Sequence, residues 1–371
     1  MTAAADRTAI APRPQATRLG VVGLIVALVA AGGLLLMRVP VRATAPPAGR
    51  VSVRTAWPKA QHADVAGSLD DGTVFTPLYF VDARTAVGTA PSPDNRALRL
   101  LLRNPDGSLA LLRSQPVSTD PEFNNVTMSG DTLLWTESIG ERPIEIWTVD
   151  LGHGPARRLT ADTGNPVFYG VQYDLVVAGG RAYWTATARD GSRSTDIRSV
   201  SLAGGAVTIR NESGIWALTA WPWIVDGPGA AEATRLRSLV DGREIRVPNL
   251  GTDPITCSPT WCRELVTSAD GLIRIDLMHP DGSARRRVAG SDADEAVGDV
   301  ALLDRFEIFA ESQPDSDVTG TEGLLVYDLR TGRTVDVSTA FAVAFTRGGM
   351  LWWSTGDQER PMWHTLDLRT V

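Results

Sequence analysis

Cys257 and Cys262 are the only cysteines in the 371-residue chain. They stand in CSPTWC, separated by the four residues of a Ser-Pro-Thr-Trp turn. That spacing puts them on facing strands of a hairpin, within reach of disulfide geometry. Three chemistries compete for such a pair: a structural disulfide, part of a zinc site, or a redox centre. Zinc needs more ligands, and no His or second Cys pair lies nearby in sequence. Redox pairs usually stand two residues apart at a helix start. The expectation is a structural disulfide, formed outside the cytoplasm.

The other reactive side chains are dispersed. His62, His153, His279 and His364 form no pair and no H-E-x-x-H, so they are read as turn or strand-packing residues. Carboxylates cluster in SDADE (291–295), DSD (315–317) and Asp70-Asp71. Asp292, Asp294 and Asp299 partly resemble a calcium loop, but the Gly and the distant Glu of such loops are missing. A solvated loop is the competing account of them. There is no G-x-S-x-G and no α/β segment to hold a hydrolase domain. No catalytic residue, cofactor site or metal site is assigned. The eleven Trp invite a sugar-binding account, but most recur at equivalent strand positions, where packing explains them.

Those equivalent positions reveal the scaffold. From residue 50 onward, short runs rich in Val, Ile, Leu, Thr, Tyr and Trp alternate with Gly, Asp, Pro and Ser, the all-β signature. Runs such as LWTES from Leu134, YWTAT from Tyr183, FEIFAES from Phe306 and LWWSTG from Leu351 are each followed by a second run. Those partners are IEIWTVDL, TDIRSVSL, LLVYDL and MWHTLDL, and a Gly turn with a third strand often follows. Taking Trp135, Trp184, Trp223, Val266, Phe309 and Trp353 as markers, the spacings are 49, 39, 43, 43 and 44. A period of about 40–50 residues with three or four strands per unit is the β-propeller signature. Seven pairs of runs predict seven blades over residues 50–371; six or eight also fit, because the first unit is degenerate. The last unit lacks an outer strand, and Arg50–Thr55 (RVSVRT) alternates as a strand should. The expectation is that Arg50–Thr55 pairs antiparallel with Met362–Leu366 and closes the ring.

Upstream, Leu19–Met37 is 19 residues without a charge, long enough as a helix to cross a bilayer. One N-terminal transmembrane helix is therefore expected over 19–37, after a cytoplasmic tail (1–18) and before a Pro/Ala-rich tether (38–49). An uncleaved anchor is favoured over a signal cut near Ala43-Thr44-Ala45. Residues 1–50 hold six Arg and one acid; the remainder carries a net charge of −12. A body that acidic repels phosphate backbones, so nucleic acid is not an expected partner.

The repeat LWTES/IWTVDL/GPARRLT, the turns NPDGS (104–108), HPDGS (279–283) and SPDN (92–95), and CSPTWC together resemble the TolB-like β-propeller proteins, in particular their membrane-anchored actinobacterial versions. The resemblance covers roughly residues 65–371. It implies a propeller displayed outside the cytoplasmic membrane and supplies no catalytic residue. An anchor here takes the place of TolB's N-terminal α/β domain. The function expected is a non-enzymatic binding or scaffold module for a protein, peptide or glycan. The alternative is a propeller hydrolase or lyase acting on carbohydrate or a small ester at the central channel. Three or more convergent carboxylates at the channel would favour that alternative.

Overall fold

A computed structural model describes residues 50–371 apart from 227–234, 249–252, 270, 314–315, 317–320 and 358. The expected tail, membrane helix and tether lie outside the described residues. Among the described residues no helix is long and apolar enough to cross a membrane.

Seven antiparallel sheets follow one another along the chain, and together they form a seven-bladed propeller. In six blades the strands pair in chain order, from the first, nearest the axis, to the outer one. Blade 1 spans 76–116, blade 2 121–160, blade 3 165–213, blade 4 216–246, blade 5 255–289 and blade 6 293–341. Blade 7 takes three strands from the C-terminus, Ala344–Arg347, Met350–Thr355 and Met362–Asp367, and its fourth from the other end of the chain.

The second and third strands of each blade are sandwiched between neighbouring blades. Met350–Thr355 is buried over five consecutive residues and Ser194–Ser201 over seven. Such strands read as continuous apolar or small-residue runs. There is no single core. Seven hydrophobic clusters each fill one blade–blade interface, from Leu134, Trp184 and Val200 between blades 2 and 3 to Leu324, Trp353 and Leu366 between blades 6 and 7. Trp135, Trp184, Trp216 and Trp352 are fully buried, and none of the eleven Trp is exposed. Packing, not a sugar platform, accounts for them.

The ring does close with an N-terminal strand, but a different one. His62–Ala66 pairs antiparallel with the last strand, His62 opposite Leu366 and Ala66 opposite Met362. The expectation for Arg50–Thr55 is corrected. Val51 and Ser52 instead add in parallel to the outer strand of blade 6, opposite Val335 and Asp336, and Val53–Ala56 forms a helical turn. The physical reason lies in where a closing strand sits. It is the outer strand of its blade and buries only Val65 of five residues, so HADVA shows almost no apolar signal. The apolar alternation of RVSVRT serves a docking arm. Arg50 chelates Glu311 (2.8 and 2.6 Å) and reaches Asp336 (3.2 Å). Trp57 then packs edge-on against Phe306, with ring centroids 5.5 Å apart.

Candidate functional site at the central channel

The first strand of blade 3 is interrupted. Asn165 and Pro166 pair with Thr187 and Ala186, and pairing resumes with Val176 opposite Tyr183. Residues 167–175 (VFYGVQYDL) thus stand against only Trp184 and Thr185, and must loop out of the sheet. Blade 6 repeats the device. Glu295 pairs with Phe309 and Leu302 bridges to Phe306, leaving 296–301 opposite Glu307 and Ile308. Extra residues in a first strand leave its ladder and are free to reach other blades.

The two loops meet across the ring. Blades 3, 6 and 7 supply the contacts, and blade 3 borders neither of the others on the ring. Arg347 Nη1 donates to the Val171 carbonyl (3.2 Å) and the Gly348 N–H to Gln172 Oε1 (3.2 Å), joining blade 3 to blade 7. Thr346 Oγ1 donates to Asp299 Oδ2 (2.6 Å), joining blade 7 to blade 6, and Gln172 faces the same carboxyl. A Cβ on Gly298 would stand 3.1 Å from the Val171 side chain. A Cβ on Gly348, where φ is +57°, would stand 2.6 Å from the Tyr79 hydroxyl of blade 1. A side chain at 348 would stand on a left-handed backbone and have to displace the Tyr79 ring, which favours glycine there.

Burial dominates the electrostatics of this junction. Asp174 accepts the Tyr169 and Gly170 N–H groups (2.9 and 2.7 Å), yet desolvation pushes its carboxyl up to about 6. Burial also raises Asp299 and depresses Arg347, whose charge bears on both carboxylates. Burial raises the Tyr79 and Tyr173 phenols in the same way. Beneath the blade 6 loop, Arg263 is buried and donates to Glu307 Oε1 (2.9 Å) and to the Val297 carbonyl (3.1 Å). Glu307 in turn accepts the Ala301 N–H (2.8 Å).

Perturbed carboxylates gathered at a cleft are the usual mark of an acid–base site. Here the same groups do something simpler. Asp174 pins its own loop and Asp299 binds Thr346. The loops of blades 3 and 6 and the first strand of blade 7 are bonded to one another across the ring. Two carboxylates share one arginine, and among the described residues no third joins them. The arrangement is a stopper.

Cys257 and Cys262 are bonded, facing each other on the first two strands of blade 5, with Cα atoms 4.0 Å apart. Both are buried in the interface with blade 4. Asp292, Asp294 and Asp299 are not brought together: the first two are exposed and the third is in the stopper. Among the described residues no group of three side chains could hold a metal ion. His153 is exposed, and His279 bonds the Thr260 carbonyl (2.8 Å) beside Trp261. His62 is exposed at the start of the closing strand. His364 links Asp64 of that strand (2.7 Å) to Thr355 (2.8 Å), riveting the ring closure. Sequence reasoning found Asp299 for another reason and missed Gln172, Tyr173, Asp174 and Arg347. A signal existed in the 49-residue spacing from Trp135 to Trp184, the longest of the set, which contains the blade 3 loop.

No protein-family model matches the chain, and no curated protein sequence matches it. Among solved structures it is similar to a Mycobacterium tuberculosis puromycin-hydrolyzing peptidase, at 15% identity over 82% of this chain and 54% of that one (TM-score 0.53). It is also similar to a prolyl endopeptidase, at 11% identity over 83% and 50% (TM-score 0.49). A third is the β-propeller domain of the Trilobed protease from Pyrococcus furiosus, at 8% identity over 64% and 80% (TM-score 0.43). At these identities the likeness is one of fold. The chain spans about half the length of the first two proteins.

Proposed function

We propose that the chain is a membrane-anchored, extracytoplasmic propeller of the TolB-like kind that binds a protein, peptide or glycan and catalyses nothing. The supporting observation is the stopper. The blade 3 loop, 167–175, is tied across the ring to Asp299, Arg347 and Gly348, and these contacts use the groups that a hydrolase or lyase at the channel would need free. The remaining surface consists of blade edges and loops, which suit recognition. Fold alone assigns no activity, so the likeness to peptidases enters as a substrate class to test.

The test has two arms. The full chain in membranes is assayed against chromogenic esters, glycosides, aminoacyl amides and puromycin. Turnover is expected to equal that of an Asp174→Asn, Asp299→Asn double variant. Turnover that scales with protein and vanishes in the variant would replace binding by catalysis. For the anchor, carbonate extraction should leave the chain in the membrane pellet, and protease added to intact spheroplasts should digest residues 50–371. Release by carbonate, or protection from protease, would remove the anchored outside location.

A further inference from the structure

A pocket of about 380 Å³ opens at the seam between blades 7 and 1. It is walled by three separate stretches of chain. The segment after the docking arm contributes Lys59 and Gln61, and the closing strand its first residue, His62. The turn between the first two strands of blade 1 contributes Asp82 and Arg84. Pro105, in the NPDGS turn, completes the rim, and the buried Ala60 and Ala83 form the floor.

Its charge is net positive. Lys59 is the chain's single lysine, among 36 basic residues. Among the described residues, neither Lys59 Nζ nor the Arg84 guanidinium has a hydrogen-bond or ion-pair partner. The His62 ring is tied through Nδ1 to the Ala60 carbonyl (3.1 Å), which leaves Nε2 without a partner among the described residues. The one acid, Asp82, is already engaged. Its Oδ1 accepts the Arg84 and Thr85 N–H groups (2.7 and 2.8 Å) and its Oδ2 the Thr85 hydroxyl (2.8 Å), and the Arg369 charge also bears on it. In a body of net −12, the pocket therefore presents two unpaired cations and a ring nitrogen beside one ionised, hydrogen-bonded carboxylate, a net positive charge. Lysine supplies a mobile point charge and arginine a planar fork, the pair of donors that phosphate oxygens use best. A phosphate ester, carrying about −1.5 to −2 as a monoester at pH 7, is opposite in sign to that net charge and offers oxygens to both free cations. The volume exceeds what a bare phosphate needs and lies within the small-ligand range of about 300–1,000 Å³.

We propose that this seam pocket binds a phosphate ester, with Lys59 and Arg84 contacting the phosphate oxygens and His62 the group attached to them. The inference goes beyond the binding function proposed above and stands without it, since a propeller enzyme would carry the same pocket. Two sources share the chemistry: a soluble phosphorylated metabolite, and the headgroup of an anionic lipid near the arm that leads to the expected anchor.

The full chain in neutral detergent is titrated with glycerol 3-phosphate, with dihexanoyl phosphatidylglycerol and, as control, with dihexanoyl phosphatidylcholine, by calorimetry at low ionic strength. Saturable binding of at least one of the first two is expected, weakened by salt. The Lys59→Gln, Arg84→Gln double variant should bind at least about tenfold more weakly, as expected for loss of two charge-assisted contacts. Both side chains are exposed, so its melting curve should be unchanged; if the double variant does not fold, Arg84→Gln alone serves. Preference for glycerol 3-phosphate identifies a soluble ligand, and preference for phosphatidylglycerol a lipid. No saturable binding of either, equal binding by variant and wild type, or equal binding of phosphatidylcholine would overturn the proposal.

Discussion

Replacing Asp174 by Asn should flatten the pH dependence of stability between about pH 4 and pH 6. In the folded protein this carboxyl titrates at about 6; its ordinary value is 3.8. Between those values the native state keeps a proton that the unfolded chain has released. Stability therefore falls as pH rises through the window, and the loss is complete above it. Below 3.8 both states are protonated and the penalty is absent. The gap between folded and unfolded values is worth about 3 kcal/mol, since each pH unit corresponds to ~1.36 kcal/mol. Asp174 is 5% exposed, so solvent screening takes little from it. Asn cannot ionise, but it accepts only one of the two N–H groups from Tyr169 and Gly170. Orphaning the other costs about 1–3 kcal/mol at every pH. The two effects separate in urea denaturation at pH 4, 5, 6 and 7. The stability of the variant relative to wild type should climb by about 2–2.5 kcal/mol across that range, the rest of the gap being already expressed at pH 4, whatever its starting offset. Asp299 and Glu307, also raised by burial, are present in both proteins. A relative stability constant with pH would refute the account of the stopper as a desolvated carboxylate junction.

Three further outcomes follow from the fold. Arg263→Met should cost about 3–5 kcal/mol in denaturant, because it leaves the fully buried Glu307 uncompensated; adding Glu307→Leu should recover much of the loss. Cys257→Ser with Cys262→Ser should lower stability by about 2 kcal/mol, the chain-entropy value for so short a loop; a melting midpoint unmoved by the change would contradict it. Truncation before Met362 removes the strand that pairs with both Met350–Thr355 and His62–Ala66, so the cooperative thermal transition by circular dichroism should disappear; a truncated chain melting at the wild-type temperature would show that the ring does not depend on its seam.

The second and third strands were legible because burial on both faces writes itself into composition. Glu145–Asp150, Glu322–Asp328 and Met362–Asp367 all lie where apolar runs predicted them. Strands at the axis and the rim face solvent on one side, and there the reading failed. In blade 1, the degenerate first unit, the first strand is Thr76–Phe80 and the second is the nondescript Ala86–Pro91. The closing strand escaped for the same reason, with Val65 as its one buried residue. The stopper was invisible for a different reason. Its hydrogen bonds join Val171 to Arg347 and Gln172 to Gly348, 176 residues apart. No local pattern encodes which aspartate faces the axis. A cross-strand rivet such as Asp64 to His364, 300 residues apart, is equally unreadable.

The docking arm also decides how the propeller bears load. Tension arriving through residue 49 meets blade 6 before it meets blade 7. Val51 and Ser52 lie parallel to the outer strand of blade 6, and Arg50 is clamped by Glu311 and Asp336. A pull on this arm reaches the Arg50 clamp and the Trp57–Phe306 contact first. The closing strand begins at His62, downstream of all these contacts, so it is shielded from peeling until they fail. The arm works as strain relief, in the manner of a cable tied down before its connector. A ring held shut by five residues at a single seam can in this way be tugged without being unbuckled.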